Sequence, residues 1–381
     1  MTNTDRIDVC AGGAPMSAAR TPLAFTYTAL PARVVFGAGT LRQVAEEVER
    51  LGARRPVVLS TPPQQDAARA LAASLGNVAV FAEAVMHTPV EVTDRAVAAV
   101  RDANADCLVA FGGGSTIGLG KAITLRTGDP LIAVPTTYAG SEATPILGQT
   151  EGGRKTTLRD MRVLPRTIVY DVELTLTLPL GLTVTSGLNA IAHAVEGLYA
   201  RDANPVTSAL AEQGIAFLAS ALPSLLDTPA DLTARADALY GAWACGTVLG
   251  SVGMALHHKL CHVLGGRFDL PHAETHAILL PHVAAFNAAA APNAMARIAR
   301  ALGSANAADG LIALARRLGA PLALRDIGMP ENGVAQAADA AVANPYWNPR
   351  PVDRESIQLL LEAAFTGRWV GDSWDAGALA T

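Results

Sequence analysis

Six of the eight histidines in this 381-residue chain fall between His257 and His282, in the stretch HHKLCHVLGGRFDLPHAETHAILLPH. Among them, His258, His262 and His272 stand at spacings that suit a metal site. Asn189 and His193, in NAIAH, are i,i+4 on one predicted helix face, and so are His258 and His262. Imidazoles of ordinary pKa also exchange protons near neutral pH, so the same residues suit acid–base work. A lone histidine on an apolar helix is usually a hydrogen-bonded core residue, but a cluster this dense resists that reading. His193, His258, His262 and His272 are therefore the candidates for chemistry, and His257 and His282 for structural roles.

A second group of residues suits phosphate. FGGGSTIGLGKA (111–122) follows a predicted strand and opens a predicted helix. Gly112, Gly113, Gly114 and Ser115 let the backbone approach a diphosphate, whose charge the free N–H groups of a helix start attract. A tight turn without a ligand has the same look. PTTYAGSE (135–142) adds Thr136, Thr137 and Tyr138 after the next strand, and two polar loops at consecutive strand ends favour a dinucleotide site. The VVLS strand runs into Thr61, Pro62 and Pro63 with no carboxylate to disfavour a ribose phosphate, so both NADH and NADPH are allowed. Lys155, on a predicted hairpin, is either a ribose or phosphate ligand or a solvated turn residue. Tyr138 is a second proton donor or simple packing, and Arg267 a carboxylate ligand or a surface residue.

These residues need elements to hold them. From Val34 to about Asp171, short β-branched runs alternate with helical patterns, which implies a largely parallel sheet covered on both faces. ILGQTEGGRKTTL (146–158) reads as a hairpin around its Gly-Gly turn. Past Pro179 the patterns are helical, including one run from Ala234 to Gly266. Asp269 is a candidate cap for the helix that carries His272. The expected organisation is a flexible leader (1–24), an α/β dinucleotide-binding domain (25–178) and an all-α substrate domain (179–381), with ligands in the cleft between the halves. A net charge of −5 gives no general attraction to nucleic acid or anionic membrane. No run approaches the roughly 20 apolar residues of a membrane span. The scattered Cys10, Cys107, Cys245 and Cys261 fit a reduced, cytoplasmic setting.

FGGGS, PTTYAGSE, PRTIVYDVELTLTLP, SGLNAIAHAVE and the histidine-rich stretch together resemble the iron-containing alcohol dehydrogenase superfamily, in order from about residue 34 to 365. Within it, NAIAHA, HHKLCH and LPHAETHA are most similar to the maleylacetate reductases. The resemblance implies NAD(P)H-dependent reduction of the C=C bond of a small dicarboxylate, maleylacetate, during aromatic catabolism, by a homodimer. A metal-dependent alcohol or hydroxy-acid dehydrogenase is the alternative. It places the superfamily's metal ligands on Asn189, His193, His258 and His272. Asn189 stands where metal-dependent members have Asp, so the expectation is that no metal is bound and that the imidazoles, able to charge, serve as an anion site. Gly118 stands where the glycine-loop helix usually carries another Asp.

Overall fold

The central strand CLVAFG is buried at every position, as expected of a parallel strand covered on both faces. A computed structural model describes residues 24–152, 154–344 and 346–371. Residues 1–23 of the expected leader and the tail from 372 onward lie outside the described residues. The first half runs β1 (Arg33–Gly37), α1 (Val44–Arg50), β2 (Pro56–Leu59), α2 (Gln65–Ser74), β3 (Val80–Phe81), α3 (Val90–Asp102), β4 (Cys107–Gly112), α4 (Gly114–Thr127), β5 (Leu131–Pro135), β6 (Ile146–Glu151), β7 (Arg154–Arg159) and β8 (Thr167–Asp171). Six of these strands form one parallel sheet in the order β1-β8-β5-β4-β2-β3, while β6 and β7 pair as a separate antiparallel hairpin. β4 and β5 are neighbours, so their C-terminal loops emerge side by side, where open α/β sheets bind ligands. Gly113 makes that closeness possible: a Cβ there would lie 2.8 Å from the Thr137 side chain.

The second half is helical: α5 (Leu180–Leu198), α6 (Pro205–Asp227), α7 (Leu232–Ser251), α8 (Leu256–Phe268), α9 (His272–Asn287), α10 (Pro292–Leu302), α11 (Ala307–Arg317), α12 (Gly333–Val342) and α13 (Arg354–Thr366). α5 is buried from Thr183 to Leu198 and packs against α6, α7 and α9. α6 corrects one expectation, because its 23 residues and hydropathy of 1.4 do meet the length and composition of a membrane span. It packs against α5, α7 and α10, and 44% of that apolar stretch is buried inside the fold.

Two further expectations fail, both next to the histidines. The run from Ala234 to Gly266 is not one helix: α7 ends at Ser251 and α8 departs at 95°. At the break, the Gly253 N–H donates to Asp202 at 2.9 Å. Asp269 caps no helix start; it ends α8 in the left-handed region (φ 53°), and α9 begins after Pro271 without a side-chain cap.

His282 sits in the core of the helical half, 1 % exposed and facing Trp369. Burial pulls its pKa down to about 4. The folded chain thus keeps it neutral while the unfolded chain takes up a proton below about 6.5, so stability falls as pH drops from about 6.5 to 4. In that window this one residue should contribute up to about 1.4 kcal/mol per pH unit to the slope. Urea titrations between pH 7 and 4 should show His282→Gln with a shallower fall than the parent; parallel curves would refute the assignment.

Candidate active site

A cavity of about 750 Å³ lies between the loops after β4 and β5 and the helices α5, α8 and α9. Gly114, Ser115 and Thr137 line its sheet side, and Asn189, His193, His258, His262 and His272 its helical side. All four histidines proposed for chemistry therefore face one space. The other proposed cofactor residues are placed differently. Gly112 and Gly113 form the turn beneath the α4 N-terminus, and Thr136 accepts a hydrogen bond from Gln64 at 3.0 Å. Tyr138 is fully buried, with its hydroxyl 3.2 Å from Arg235, so its role is packing and not proton donation. Lys155 lies on β7, and its side chain is outside the described residues. Arg267 is exposed, contacts Gln336 and does not line the cavity.

One side chain organises the histidines. Glu196, on α5 one turn past His193, is fully buried. Its carboxylate accepts the backbone N–H groups of Ala255 (2.9 Å), His257 (2.8 Å) and His258 (3.3 Å), which are donors that a new helix leaves unpaired. It also accepts Nδ1–H of His258 at 2.7 Å. That bond fixes the His258 tautomer and leaves the Nε2 lone pair pointing at His193. His193 in turn donates Nε2–H to the Ala139 carbonyl at 3.3 Å, which leaves Nδ1 as its acceptor. Two ring nitrogens whose protons are committed elsewhere thus face each other at 2.9 Å. Only a shared proton or a cation relieves that opposition.

His276 completes the group, and the sequence reading passed over it. It lies one turn beyond His272 on α9, is fully buried, and its ring is 5.0 Å from that of His258 and 4.3 Å from that of His272. Both of its nitrogens are buried without a hydrogen-bond partner, as is Asn189 Oδ1. The i,i+4 spacing to His272 was the available signal. His257 keeps a structural role, with its Nε2 bonded to the His276 carbonyl at 3.0 Å.

Burial holds His193 and His276 well below the usual histidine range and draws His257 down to about 4. Burial thus works against charge on the inner cluster, where the expectation was that these imidazoles charge to hold an anion. Lys121, on the glycine-loop helix, was also missed. Its ammonium donates to the carbonyls of Ser141, Thr144 and Ile146 at 2.7–2.9 Å and so pins the loop after β5. Burial lowers its pKa to about 7, against the pull of Glu142. Arg159 donates to the carbonyls of Leu249, Gly250 and Val252 at the end of α7.

Residues 31–172 match the family model "Iron-containing alcohol dehydrogenase", and residues 183–365 match "Fe-containing alcohol dehydrogenase family, C-terminal". The chain is 58% identical to the maleylacetate reductase of Rhizobium sp. (strain MTP-10005), over 90% of this chain and 98% of that one. Solved structures that share the fold include two from this group. The maleylacetate reductase of Agrobacterium tumefaciens is 57% identical, with a TM-score of 0.87 over 91% of this chain and 99% of that one. The iron-containing alcohol dehydrogenase of Corynebacterium glutamicum is 45% identical, with a TM-score of 0.87 over 92% and 99%.

The match to iron-containing families overturns the expectation that no metal is bound. The residues fit an ion as well. His193, His258 and His276 bring ring nitrogens within 4.8 Å of one another, and neutral imidazoles are the form that binds metal. Three histidines suffice in some catalytic sites, so the Asp-to-Asn change at 189 is not decisive. Nor is the negative charge lost: Glu196 supplies it one bond further out, on His258, where a carboxylate raises ligand basicity. Glu196→Gln should weaken Zn²⁺ or Fe²⁺ binding by about 10–100-fold in chelator competition. Unchanged affinity in a folded variant would show that the carboxylate does not tune the site. With family models matched over both halves and relatives 45–58% identical along nine-tenths of its length, the chain belongs to the iron-containing alcohol dehydrogenase family.

Proposed function

We propose that this chain reduces the C=C bond of maleylacetate with NADH or NADPH, giving 3-oxoadipate, and accepts chlorinated maleylacetates at the same site. The observation that supports this most directly is the single cavity that joins the glycine loop to the histidine cluster. On this reading the loop of Gly114 and Ser115 holds the cofactor diphosphate at the start of α4. Hydride passes from nicotinamide C4 to the alkene carbon β to the ketone, the π electrons move toward the ketone oxygen, and a proton closes the resulting enolate at the α carbon. Asn189, His193 and His258, with His276 in place of the His272 that the resemblance implies, are the residues that would hold an ion, which would supply a Lewis acid for the developing oxyanion. Glu196 keeps His258 in one tautomer and one orientation throughout. His262 is exposed and His272 half-buried, so these two cavity residues, unlike the inner ones, exchange protons with solvent and serve as donors.

The same reading takes the enzyme to be a cytoplasmic homodimer of aromatic catabolism that acts on small dicarboxylates, with neither nucleic acid nor membrane among its partners. A second reading, carbonyl–alcohol interconversion, is favoured by the converging ligand trio and by the likeness to the Corynebacterium glutamicum protein. One assay separates them: oxidation of NADH or NADPH with maleylacetate against NAD(P)⁺ reduction with simple alcohols. Replacing His258 by Ala should lower kcat on maleylacetate by about 10²–10⁴-fold while nicotinamide affinity stays within about 3-fold. Equal losses in both would make His258 a structural residue.

A further inference from the structure

A dicarboxylate substrate needs partners for its carboxylates, and the two cations that line the cavity, Lys121 and Arg159, are committed to backbone carbonyls. The cavity rim offers a different group. His87 and Thr88 are consecutive non-glycine residues in the left-handed region, with φ of 64° and 46°, and both line the cavity. A β-branched residue with such a φ is strained, and strain of this kind persists only where surrounding contacts hold it.

Three contacts hold it here. Thr88 packs over Gly118, where a Cβ would lie 2.6 Å from its hydroxyl. The small residue at 118, in place of the usual Asp, is thus what lets the segment drop onto α4. The Thr150 N–H of the hairpin donates to the Thr88 carbonyl at 3.3 Å, and Pro89 bridges to the same residue. Across the cleft, His87 Nε2 lies 3.3 Å from Asp269 Oδ1. Asp269 is also left-handed, and it stands three residues before His272. The His87 side chain is largely buried, at 17% exposure, whereas that of Asp269 is 89% exposed. A carboxylate that exposed gains little from an ion pair and is readily exchanged.

We propose that His87 is a specificity-determining residue that binds one carboxylate of the substrate, and that Asp269 holds the same position until the substrate displaces it. The proposal rests on the dicarboxylate reading above and deepens it. His87 donates Nε2–H to a carboxylate oxygen on the sheet side of the cleft, so it grips the end of the substrate and leaves the alkene to the nicotinamide and the histidines. The two partners should then behave oppositely, since one binds substrate and the other competes with it.

The test is steady-state kinetics on the full-length enzyme with maleylacetate and with 4-oxopent-2-enoate, which lacks the second carboxylate. His87→Ala, and His87→Asn as a variant whose side chain tolerates the left-handed backbone, should raise KM for maleylacetate by about 10–100-fold. In both, kcat and nicotinamide affinity should stay within about 3-fold, and the preference for the diacid should shrink accordingly. Asp269→Asn should leave KM for maleylacetate unchanged or lower it. A wild-type KM in both His87 variants overturns the proposal. So does an Asp269→Asn variant impaired as much as His87→Ala, because then the contact between the two residues, and not its exchange, is what matters. A parent enzyme that does not reduce maleylacetate at all overturns the functional reading and this proposal with it, whereas normal turnover with unaltered His87 variants overturns this proposal alone.

Discussion

The arrangement of the site depends on one buried carboxylate. Glu196 has no solvent to stabilise its charge, and an unpaired charge in such a place would be very costly. Five donors compensate it: three backbone N–H groups at the start of α8, Nδ1–H of His258 and, at 3.5 Å, the Tyr199 hydroxyl. The compensation runs both ways, since those N–H groups would otherwise be unpaired at the 95° break between α7 and α8. The carboxylate therefore sets where α8 begins, in which direction it leaves, and how the ring of its third residue is turned. Removing such a group would leave backbone donors and an imidazole unpaired together, a loss of about 3–5 kcal/mol.

This coupling explains which features were legible in the sequence. The parallel sheet was, because β4 and β5 are apolar at every position and strands buried on both faces carry that pattern without interruption. The hairpin was legible from its Gly-Gly turn, and the glycine loop from its place between a strand and a helix. The break after Ser251 was not. SVGMALHH keeps a helical pattern, and the group that stabilises a new start there is Glu196, some 60 residues earlier. The two roles open to Tyr138 could not be separated for the same reason, since its hydroxyl meets Arg235, which is 97 positions away. Local spacing reports which residues share a face of one helix. It does not report which partner from another helix claims a polar atom.

His276 and Glu196 were missed differently, because a local signal did exist. His276 is i,i+4 from His272, the spacing that singled out Asn189 with His193 and His258 with His262. Glu196 is the lone acidic residue in the apolar run NAIAHAVEGLYA, and a charge in the middle of a helix buried on all sides must have partners. Comparing residue 189 alone with metal-dependent relatives counted charge only among the residues that would touch an ion. The structure shows the charge one step back, on the far nitrogen of His258.

That displacement has an electrostatic consequence for the whole cavity. A carboxylate touching an ion both neutralises it and occupies one of its positions. A carboxylate behind an imidazole partly neutralises it and leaves the position to a neutral amide. Such a site tolerates a second negative charge nearby better than one that already holds an anionic ligand at close range. The same burial that orients the inner histidines works against their carrying charge themselves. Orientation and charge thus make opposite demands on depth: a group must be buried to be fixed and near solvent to be ionised at moderate cost. Here the two demands fall to different residues, with His193, His258 and His276 inside and His262 and His272 nearer solvent. A histidine-rich cavity divided in this way can keep rigid neutral ligands and ionisable groups within one helical turn of each other, as His276 and His272 are on α9.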